Sequence, residues 1–554
     1  MTQLLNYPVT KRGTAVTRPS LFCCLASIQY NRAMNRARHL LTSSLIVIFL
    51  FGLGKITGLA RVLLVANTFG TSPEYDAFVA ANQLPELFFT LIAGGALAAA
   101  FIPVYSQYLT SARDREAARL ANTILTLVLL VLGGICLVAA ILSPWIASQL
   151  LVPGFTPEQQ QLTAVLMRVI LIQTTLFGIS GVLSSILNAH QHFALPALAP
   201  VALDIGYVFG LFFLVPEMGV MGLAWGTVLG GVLHILIQVP ALVKYKIGYR
   251  PALVVQMAGV QEIIRLMGPR IVTLGVIQLA DLFIIRLTSQ LSEGSTSGYF
   301  YGYTFMQFPE TLLGTAVAIV VFPTLAELYN GGDIAALKRT AVNTLRIILF
   351  LTIPAAVLMV LLGRPALSLL FAPEAVAIIF AVLLVFSIRL VSEAANEIVA
   401  RLFYARHNTR TPMFAYMGWL VVNVSFAYLL VTTWGVVGLA IASTLAFTFL
   451  ASLLYWLNRR ELGYLGEREL AATGGRALLA SGGMALVILA MGWVVPLTAV
   501  TANLTGITNL LAQVVYLGVV AVVGTAVYLL LHTLVGGREI PQLIQLVRSR
   551  PDAL

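Results

Sequence analysis

Residues 83–86 read Gln-Leu-Pro-Glu, and residues 307–310 read Gln-Phe-Pro-Glu, 224 positions later. Each copy stands inside a long apolar run, where polar side chains are costly in a membrane. A second repeat follows, Gly-Val-Met-Gly-Leu-Ala at 219–224 and Gly-Val-Val-Gly-Leu-Ala at 435–440. Two copies of a helical membrane unit with polar residues at membrane depth predict a transporter whose site lies between its halves.

The composition is that of an integral membrane protein. Of the 554 residues, 59% are hydrophobic and 10% are charged, and the mean hydropathy is +0.93. Soluble domains carry about 25% charged residues, so we expect an all-α polytopic membrane protein. The net charge of +11 fits cations beside an anionic membrane surface and does not indicate nucleic acid.

Apolar runs of about 20 residues or more predict fourteen spanning helices. The repeat accounts for two pseudo-symmetric six-helix lobes, and two C-terminal helices lie beyond it. We expect a cytoplasmic tail at 1–40, an N-lobe at 41–243, a C-lobe at 244–458, and helices 13 and 14 with a cytoplasmic tail at 459–554. The predicted spans are 41–67, 76–108, 119–143, 162–188, 196–216, 219–243, 265–290, 297–329, 340–362, 375–401, 411–433, 436–457, 476–496 and 510–534.

The distribution of basic residues predicts the orientation. With the N-terminus inside, the cytoplasmic segments hold 25 of the 33 Lys and Arg residues, the external loops hold one, and seven lie within spans. Because cytoplasmic loops are enriched in Lys and Arg, we expect both termini in the cytoplasm. Residues 1–33 are assigned no function, and Met34 is an alternative start.

Two cations in helix 1, Lys55 and Arg61, are the first candidate site residues. Ionisable groups at membrane depth face a cavity or a partner. An arginine fork binds phosphate through two charge-assisted hydrogen bonds and stays protonated when desolvated. We therefore favour substrate binding for both cations, with pairing to Asp76 or Glu86 as a compatible alternative.

Helices 2 and 8 each place polar residues on one face, at spacings of three, four or seven. We expect the two faces to meet across the lobe interface and to contribute to substrate binding. The residues are Asp76, Gln83, Glu86 and Thr90 on helix 2, and Tyr303, Gln307, Glu310 and Gly314 on helix 8.

Helix 10 carries a charged ridge. Arg389, Glu393, Glu397 and Arg401 follow at intervals of four, with Asn396 beside them. A ridge of this kind facing lipid would not insert stably. It is either a buried ladder of ion pairs or a wall of an aqueous cavity, and the sequence leaves both interpretations open.

Helix 7 adds Arg270, Asp281 and Arg286, and helix 4 adds Arg168. We expect Arg270 to take part in substrate binding. Asp281 is either a ligand for a coupling cation or a pairing partner for Arg270 or Arg286.

No enzyme signature is present. The residues His190, His192 and His407 lack metal-ligand spacing, the three cysteines form no disulfide framework, and no phosphate-binding Gly-rich loop occurs. We expect a transporter with no catalytic residue, resident metal or cofactor. Its drive must then come from an ion gradient, the membrane potential or a partner protein.

Several segments resemble those of a known family. They are Lys-Ile-Thr-Gly-Leu-Ala-Arg at 55–61, Tyr-Asp-Ala-Phe at 75–78, Met-Gly-Pro at 267–269 and Phe-Tyr-Ala-Arg at 403–406. Over roughly residues 40–535 the chain is similar to the MurJ (MviN) family of lipid II flippases, in the multidrug/oligosaccharidyl-lipid/polysaccharide (MOP) exporter superfamily. The resemblance implies fourteen spans, with the last two helices forming a groove for a lipid tail.

The resemblance also implies a function in peptidoglycan biosynthesis, and hence in cell-wall biogenesis and cell shape. It implies that lipid II moves from the inner to the outer face of the bacterial cytoplasmic membrane by alternating access, with cavity cations holding its pyrophosphate. Arg61 and Lys55 match two of those cations, and Asp76 matches an acidic residue at the start of helix 2.

Three positions depart from the family pattern. Phe89 and Thr304 stand where the family has cavity arginines, and Gly94 stands where it has a glutamate. Two alternatives therefore remain open. The chain could flip another undecaprenyl-pyrophosphate-linked saccharide, of the O-antigen or capsule type, or it could be a non-transporting membrane scaffold that recruits cell-wall synthesis proteins.

Overall fold

The described part of the chain is all-helical. No strand occurs in it, and its helices, α1 to α14, follow the order of the predicted spans. The predicted tail at 1–40 and Gly94 lie outside the described residues. The computed structural model describes residues 50, 52–93, 95–111, 113–245, 247–497, 506–537 and 539.

The first six helices share one large hydrophobic core, which includes Phe101, Leu132, Met167 and Leu223. Two of these helices have two parts, and a short helix, Val239–Lys244, follows α6. The bounds are 52–69 (α1), Pro73–Phe88 and Gly95–Thr110 (α2), Asp114–Trp145 (α3), Pro157–Ala189 (α4), Ala194–Phe209 and Val215–Met218 (α5), and Val220–Leu236 (α6).

The remaining helices form the second half of the bundle. The single range Arg410–Leu462 contains α11 and α12, which divide at the non-helical Gly435. The predicted domain boundary at 458 lies inside α12. The other bounds are Ala258–Thr288 (α7), Ser295–Glu310 and Ala316–Asn330 (α8), Ile334–Leu367 (α9), Pro373–Ala405 (α10), Glu467–Val494 (α13) and Gly506–Leu534 (α14).

Ten helices of the described residues are long and apolar enough to cross a membrane, and Arg410–Leu462 counts as one of them. This confirms a polytopic helical membrane protein. The number of spans, fourteen, stays a prediction.

The backbone repeats as the sequence does. Gly219 and Gly435 both adopt a positive φ, 57° and 55°, where α5 meets α6 and α11 meets α12. A side chain is strained in this region, so glycine is favoured at both turns. Three residues after each turn, a second glycine is required because a side chain would clash with the backbone. A Cβ on Gly222 would lie 2.4 Å from the Leu214 carbonyl carbon, and a Cβ on Gly438 would lie 2.3 Å from the Leu430 carbonyl oxygen. The same turn is built twice.

A π-helical turn follows each copy of the Gln-x-Pro-Glu segment, at Phe89–Ala93 in α2 and at Thr311–Thr315 in α8. The prolines of the segment, Pro85 and Pro309, lie within the preceding helices, where they remove a backbone hydrogen bond. Turns of this kind are often found at functional sites. They interrupt both helices at equivalent places beside the lobe interface.

The last two helices pack on α9. Phe350 of α9 forms a core with Met484, Ile488 and Val520, and the Tyr528 hydroxyl of α14 donates to the Phe350 carbonyl at 2.6 Å.

A polar cluster lies at one end of the contact between α9 and the last two helices. The buried Glu539 carboxylate accepts hydrogen bonds from Arg346 of α9 at 2.8 Å, Thr473 of α13 at 2.7 Å and the ring of His532 of α14 at 2.9 Å. The cluster fastens the end of α14 to the C-lobe.

Candidate functional site

A cavity of about 460 Å³ lies between the two lobes, where α1 and α5 face α8. The residues of α1 that line it recur at positions 54, 55, 58, 61 and 62, which is one face of a helix. That face carries Lys55 and Arg61, so the cavity is cationic. From α5 the lining includes Pro200 and Asp204, and from α8 it includes Thr304, Gln307 and Phe308.

Two contacts position the Arg61 side chain, which stays partly exposed. Its Nη1 atom lies 3.3 Å from Oδ1 of Asp204, and its guanidinium carbon lies 4.5 Å from the centre of the Tyr207 ring. The Arg61 side chain remains 27% exposed. The predicted pairing partners were Asp76 and Glu86, and the ion pair that forms is with Asp204 instead.

Asp204 is the site residue that sequence reasoning missed. Its side chain is 7% exposed, and Oδ2 accepts a hydrogen bond from the Thr57 hydroxyl at 2.6 Å. The carboxylate thus joins α1 to α5 and faces the cavity. A single acid in an otherwise apolar predicted span was a sufficient signal, because such groups are rarely placed there without a function.

Lys55 is exposed at the cavity, and within the described residues it forms no ion pair. An ammonium group with free donors is available to a phosphate.

Asp76 lies away from this cavity, at the N-terminus of α8. Its two oxygens accept hydrogen bonds from the backbone N–H groups of Gly294 and Ser297, both at 2.7 Å, and the residue is 1% exposed. A carboxylate is stabilised at a helix N-terminus by unpaired N–H groups and by the helix dipole. Asp76 of the N-lobe thus caps a C-lobe helix, and its predicted substrate contact stays a prediction that this geometry does not support.

Arg286 makes a matching contact in the opposite direction. Its Nη1 atom donates to the backbone carbonyls of Gln149 at 2.6 Å and Leu150 at 2.9 Å, beyond the end of α3. It therefore joins the lobes at the predicted external end and is not paired with Asp281. Arg270 lies in α7, but its side chain is outside the described residues.

The remaining predicted residues of α2 are not among the cavity-lining residues. Gln83 is half-buried and Glu86 is exposed. The Glu86 side chain shares a hydrogen bond with Thr90 and lies within electrostatic range of Arg61. Across the interface, the rings of Tyr75 in α2 and Tyr301 in α8 stack with centres 5.3 Å apart, so the two helices meet through residues outside the two predicted polar faces.

A second cavity, of about 240 Å³, lies inside the C-lobe among α7, α8, α10, α11 and α12. Gln307 lines both cavities, and its Nε2 donates to Tyr303 at 2.9 Å and to Oε1 of Glu393 at 2.8 Å. Glu310 is 3% exposed and accepts hydrogen bonds from Thr315, at 3.2 and 3.1 Å. It belongs to the C-lobe cavity and not to the cavity between the lobes.

The ridge on α10 forms ion pairs, which is one of the two interpretations of the sequence. Nε of Arg389 lies 2.7 Å from Oε2 of Glu393, its Nη1 donates to Ser443 at 2.7 Å, and Glu397 pairs with Arg401. The ion-pair ladder therefore exists. Arg389, Glu393 and Glu397 also line the C-lobe cavity, so they form part of its wall.

The C-lobe cavity is lined by more acidic than basic residues and contains oxygen atoms without a hydrogen-bond partner in the described structure. Its lining includes one cation, Arg389, against four acids, which are Asp281, Glu310, Glu393 and Glu397. The side-chain oxygens of Asn396 and Asn423 are buried without a hydrogen-bond partner in the described structure. In the described residues no three His, Cys, Asp or Glu side chains are grouped as metal ligands, but carboxylate and amide oxygens suit a hard cation.

Comparison with known proteins places this geometry in a family. The family model of the lipid II flippase MurJ matches residues 65–533. A lipid II flippase MurJ of Burkholderia cenocepacia is 28% identical over 443 residues, which cover 78% of this chain and 85% of that protein.

Two solved structures share the fold. A lipid II flippase MurJ in an inward closed conformation aligns with a TM-score of 0.74 at 21% identity, covering 88% of this chain and 98% of the other. An inward-facing multidrug resistance transporter of the MATE family in the MOP superfamily aligns with a TM-score of 0.63 at 18% identity, over 75% and 96%. The chain belongs to the lipid II flippase MurJ family, whose members are membrane transporters and not enzymes.

Proposed function

We propose that this protein moves lipid II from the inner to the outer face of the bacterial cytoplasmic membrane by alternating access, with both termini in the cytoplasm. The observation that carries the proposal is the cavity between the lobes, lined by Lys55 and Arg61 in a member of this family. The excess of Lys and Arg in the predicted cytoplasmic segments supports the orientation.

The cavity suits a pyrophosphate. Arg61 rests against one carboxylate, Asp204, and a pyrophosphate carries more negative charge than that carboxylate, so the ligand can displace it. The planar fork then binds phosphate oxygens in pairs, while Lys55 supplies a second positive charge.

Two contacts at the predicted external end act as the gate in this proposal. Asp76 caps α8 and Arg286 binds the carbonyls beyond α3, so both join the lobes. Outward opening requires these contacts to break while the cavity closes on its inner side.

We further propose that a monovalent cation in the C-lobe cavity couples transport to an ion gradient or to the membrane potential. The excess of acids, with the unpartnered oxygens of Asn396 and Asn423, supports this role. Gln307 contacts Glu393 and also lines the cavity between the lobes, so it offers a direct physical link between ion and headgroup.

Complementation tests the proposed transport. In a strain depleted of its own flippase, we expect the wild type to restore growth and Arg61→Ala to fail while the protein still accumulates in the membrane. Arg168→Ala is the matched control, because the Nε atom of Arg168 donates to Ser143 and Ala140 away from the cavity. Growth with Arg61→Ala equal to that with the control would contradict the proposal.

A different lipid-linked saccharide is the second candidate. Thr304 lines the cavity at a position where the family resemblance implies an arginine, and Phe89 packs on Phe177 at 5.3 Å. Competition between lipid II and an undecaprenyl-pyrophosphate O-antigen unit for the purified protein separates the two. Interaction with cell-wall synthesis proteins is a further proposal, which pull-down with the same Arg61→Ala variant tests independently of transport.

A further inference from the structure

A third cavity, of about 670 Å³, lies in the N-lobe and shares no residue with the two cavities described above. It is lined by α2, α3, α4, the end of α6, the short helix Val239–Lys244, Tyr245 and the residues 247–250 that lead towards the C-lobe. Its volume is within the usual range of small-molecule sites. Neither headgroup binding nor cation coupling uses it.

The cavity is long, narrow and apolar along most of its length. On α3 the lining runs from Asp114 to Leu129, about 22 Å at 1.5 Å per residue. Three alanines on this face, Ala117, Ala118 and Ala121, leave the space open. Leucine and isoleucine side chains of α4 and α6 form the opposite walls. An acyl chain spans one leaflet, about 15 Å, or half of a hydrocarbon core about 30 Å thick, so the cavity is long enough for such a chain and leaves room for a polar group at one end.

The cavity opens towards the lipid-facing surface. Leu129 of α3 is 40% exposed and Val239, after α6, is 38% exposed, and both line the cavity. Ala118 is also exposed. A chain from the bilayer can therefore enter between α3 and α6 without passing through the interior of the protein.

The end of the cavity that is predicted to be cytoplasmic is polar. Arg250 and Asp114 line this end, so it holds one cation and one acid. Burial lowers the pKa of His190, while Asp114 acts in the opposite direction. The positive charge in the lining at neutral pH therefore comes from Arg250. Lys244 lies close to this end, with its Nζ 5.7 Å from the centre of the ring of Tyr245, which lines the cavity.

The connection between the lobes forms one wall of the cavity. The Tyr249 hydroxyl lies 3.1 Å from Oγ1 of Thr126 in α3, and the Ala252 N–H donates to the same oxygen at 3.4 Å. A molecule in the cavity would contact this connection and α3 together.

We propose that this cavity binds one acyl chain of an anionic phospholipid of the cytoplasmic leaflet, with the lipid phosphate at Arg250. The occupant is amphiphilic because the cavity is apolar along α3 and has the Arg250 guanidinium at one end. Bound lipid holds the segment 245–252 against the N-lobe and so biases the movement of the lobes. This site is independent of the proposed substrate cavity.

Native mass spectrometry of the purified full-length protein tests the site with two probes, dioleoylphosphatidylglycerol and dioleoylphosphatidylcholine. We expect the wild type to retain the anionic lipid about tenfold better, because the choline cation of phosphatidylcholine offsets the attraction of its phosphate to Arg250. Ala121→Trp fills the cavity and removes this retention. Val138→Trp, on the lipid-facing surface of α3, is the matched control and leaves it unchanged.

Two milder variants keep the test decisive if Ala121→Trp does not fold. Ala118→Leu narrows the same cavity and lowers retention of both lipids. Arg250→Gln leaves the acyl site intact and lowers only the preference for phosphatidylglycerol. If the Ala118→Leu and Arg250→Gln proteins fold and retain both lipids as the Val138→Trp control does, the proposal is overturned.

Discussion

The two lobes repeat one backbone and differ in charge. In the first copy of the Gln-x-Pro-Glu segment Glu86 is exposed, and the cations of α1 face the cavity between the lobes. In the second copy Glu310 is 3% exposed, and the nearby Arg389 is already paired with Glu393. Duplication preserved the turns and the interrupted helices, whereas the electrostatics diverged. One lobe offers positive charge to an anionic ligand, and the other encloses an excess of acids.

The contrast predicts different consequences for removing a charge from each lobe. Arg389 is 5% exposed and its partner Glu393 is 9% exposed. Removing one of the two side chains therefore leaves the other charge buried, unpaired and poorly solvated. Arg61 is 27% exposed and borders a cavity. We expect Arg389 to affect folding and Arg61 to affect binding.

The largest effect is expected for Arg389→Ala. Removing one partner of a buried ion pair costs about 3–5 kcal/mol, so the unfolding temperature in detergent should fall markedly. The double variant Arg389→Leu/Glu393→Leu removes both charges and should recover most of the loss. A double variant no more stable than Arg389→Ala would show that the pair is not the cause.

Next in size is the effect of Arg61→Ala on ligand affinity. Loss of hydrogen bonds to a charged group costs about 1.5–3 kcal/mol, so lipid II affinity should fall about 10- to 100-fold while the unfolding temperature stays near that of the wild type. Fluorescence titration in detergent measures the affinity, with Arg168→Ala as the control. If stability falls and affinity does not, Arg61 is structural.

A smaller effect, of opposite sign, is expected for Asp204→Asn. The variant frees Arg61 from its resting partner and makes the cavity more positive, so lipid II affinity should rise by up to about fivefold, the value of a partly exposed ion pair. Turnover should slow, because the carboxylate no longer displaces the ligand. If the ion pair only holds α1 to α5, the same titration will instead show weaker binding, as for Arg61→Ala.

The smallest effect on ligand binding is expected for a region outside both cavities, the polar cluster at the end of α14. Burial raises the pKa of Glu539, but hydrogen bonds from His532, Thr473 and Arg346 outweigh it and lower the pKa from 4.5 to about 2. The stabilisation is therefore present above about pH 4.5 and is lost as the pH falls towards 2.

Hydrogen exchange of α14 measures this change. We expect protection at pH 6 to exceed that at pH 3, and Glu539→Gln to abolish the difference. Equal pH dependence in the wild type and the variant would contradict the assignment.

Much of the fold was readable from the sequence because its causes are local. Two glycine turns, two prolines and runs of apolar residues specify where helices begin, bend and end. The ladder on α10 was predictable for the same reason, since residues four apart share a face. The π-helical turns after Pro85 and Pro309 were not predicted, because local spacing does not say how a helix adjusts to a missing hydrogen bond.

The pairing of charges across helices was harder to predict. Arg61 was expected to meet Asp76 or Glu86, but the register of α1 against α5 brings it to Asp204. Asp76 lies on α2, and its carboxylate accepts hydrogen bonds from backbone N–H groups at the N-terminus of α8 instead of pairing with Arg61. Both outcomes depend on how whole helices pack, which no local pattern in a single sequence specifies.

The most direct test of the central claim is the selectivity of the cavity for pyrophosphate. Binding of lipid II and of uncharged undecaprenol should be measured side by side by native mass spectrometry, for the wild type and for Lys55→Ala/Arg61→Ala. We predict that the wild type prefers lipid II strongly and that the double variant binds both lipids alike. An unchanged preference in a folded double variant would contradict the claim that these two cations hold the headgroup.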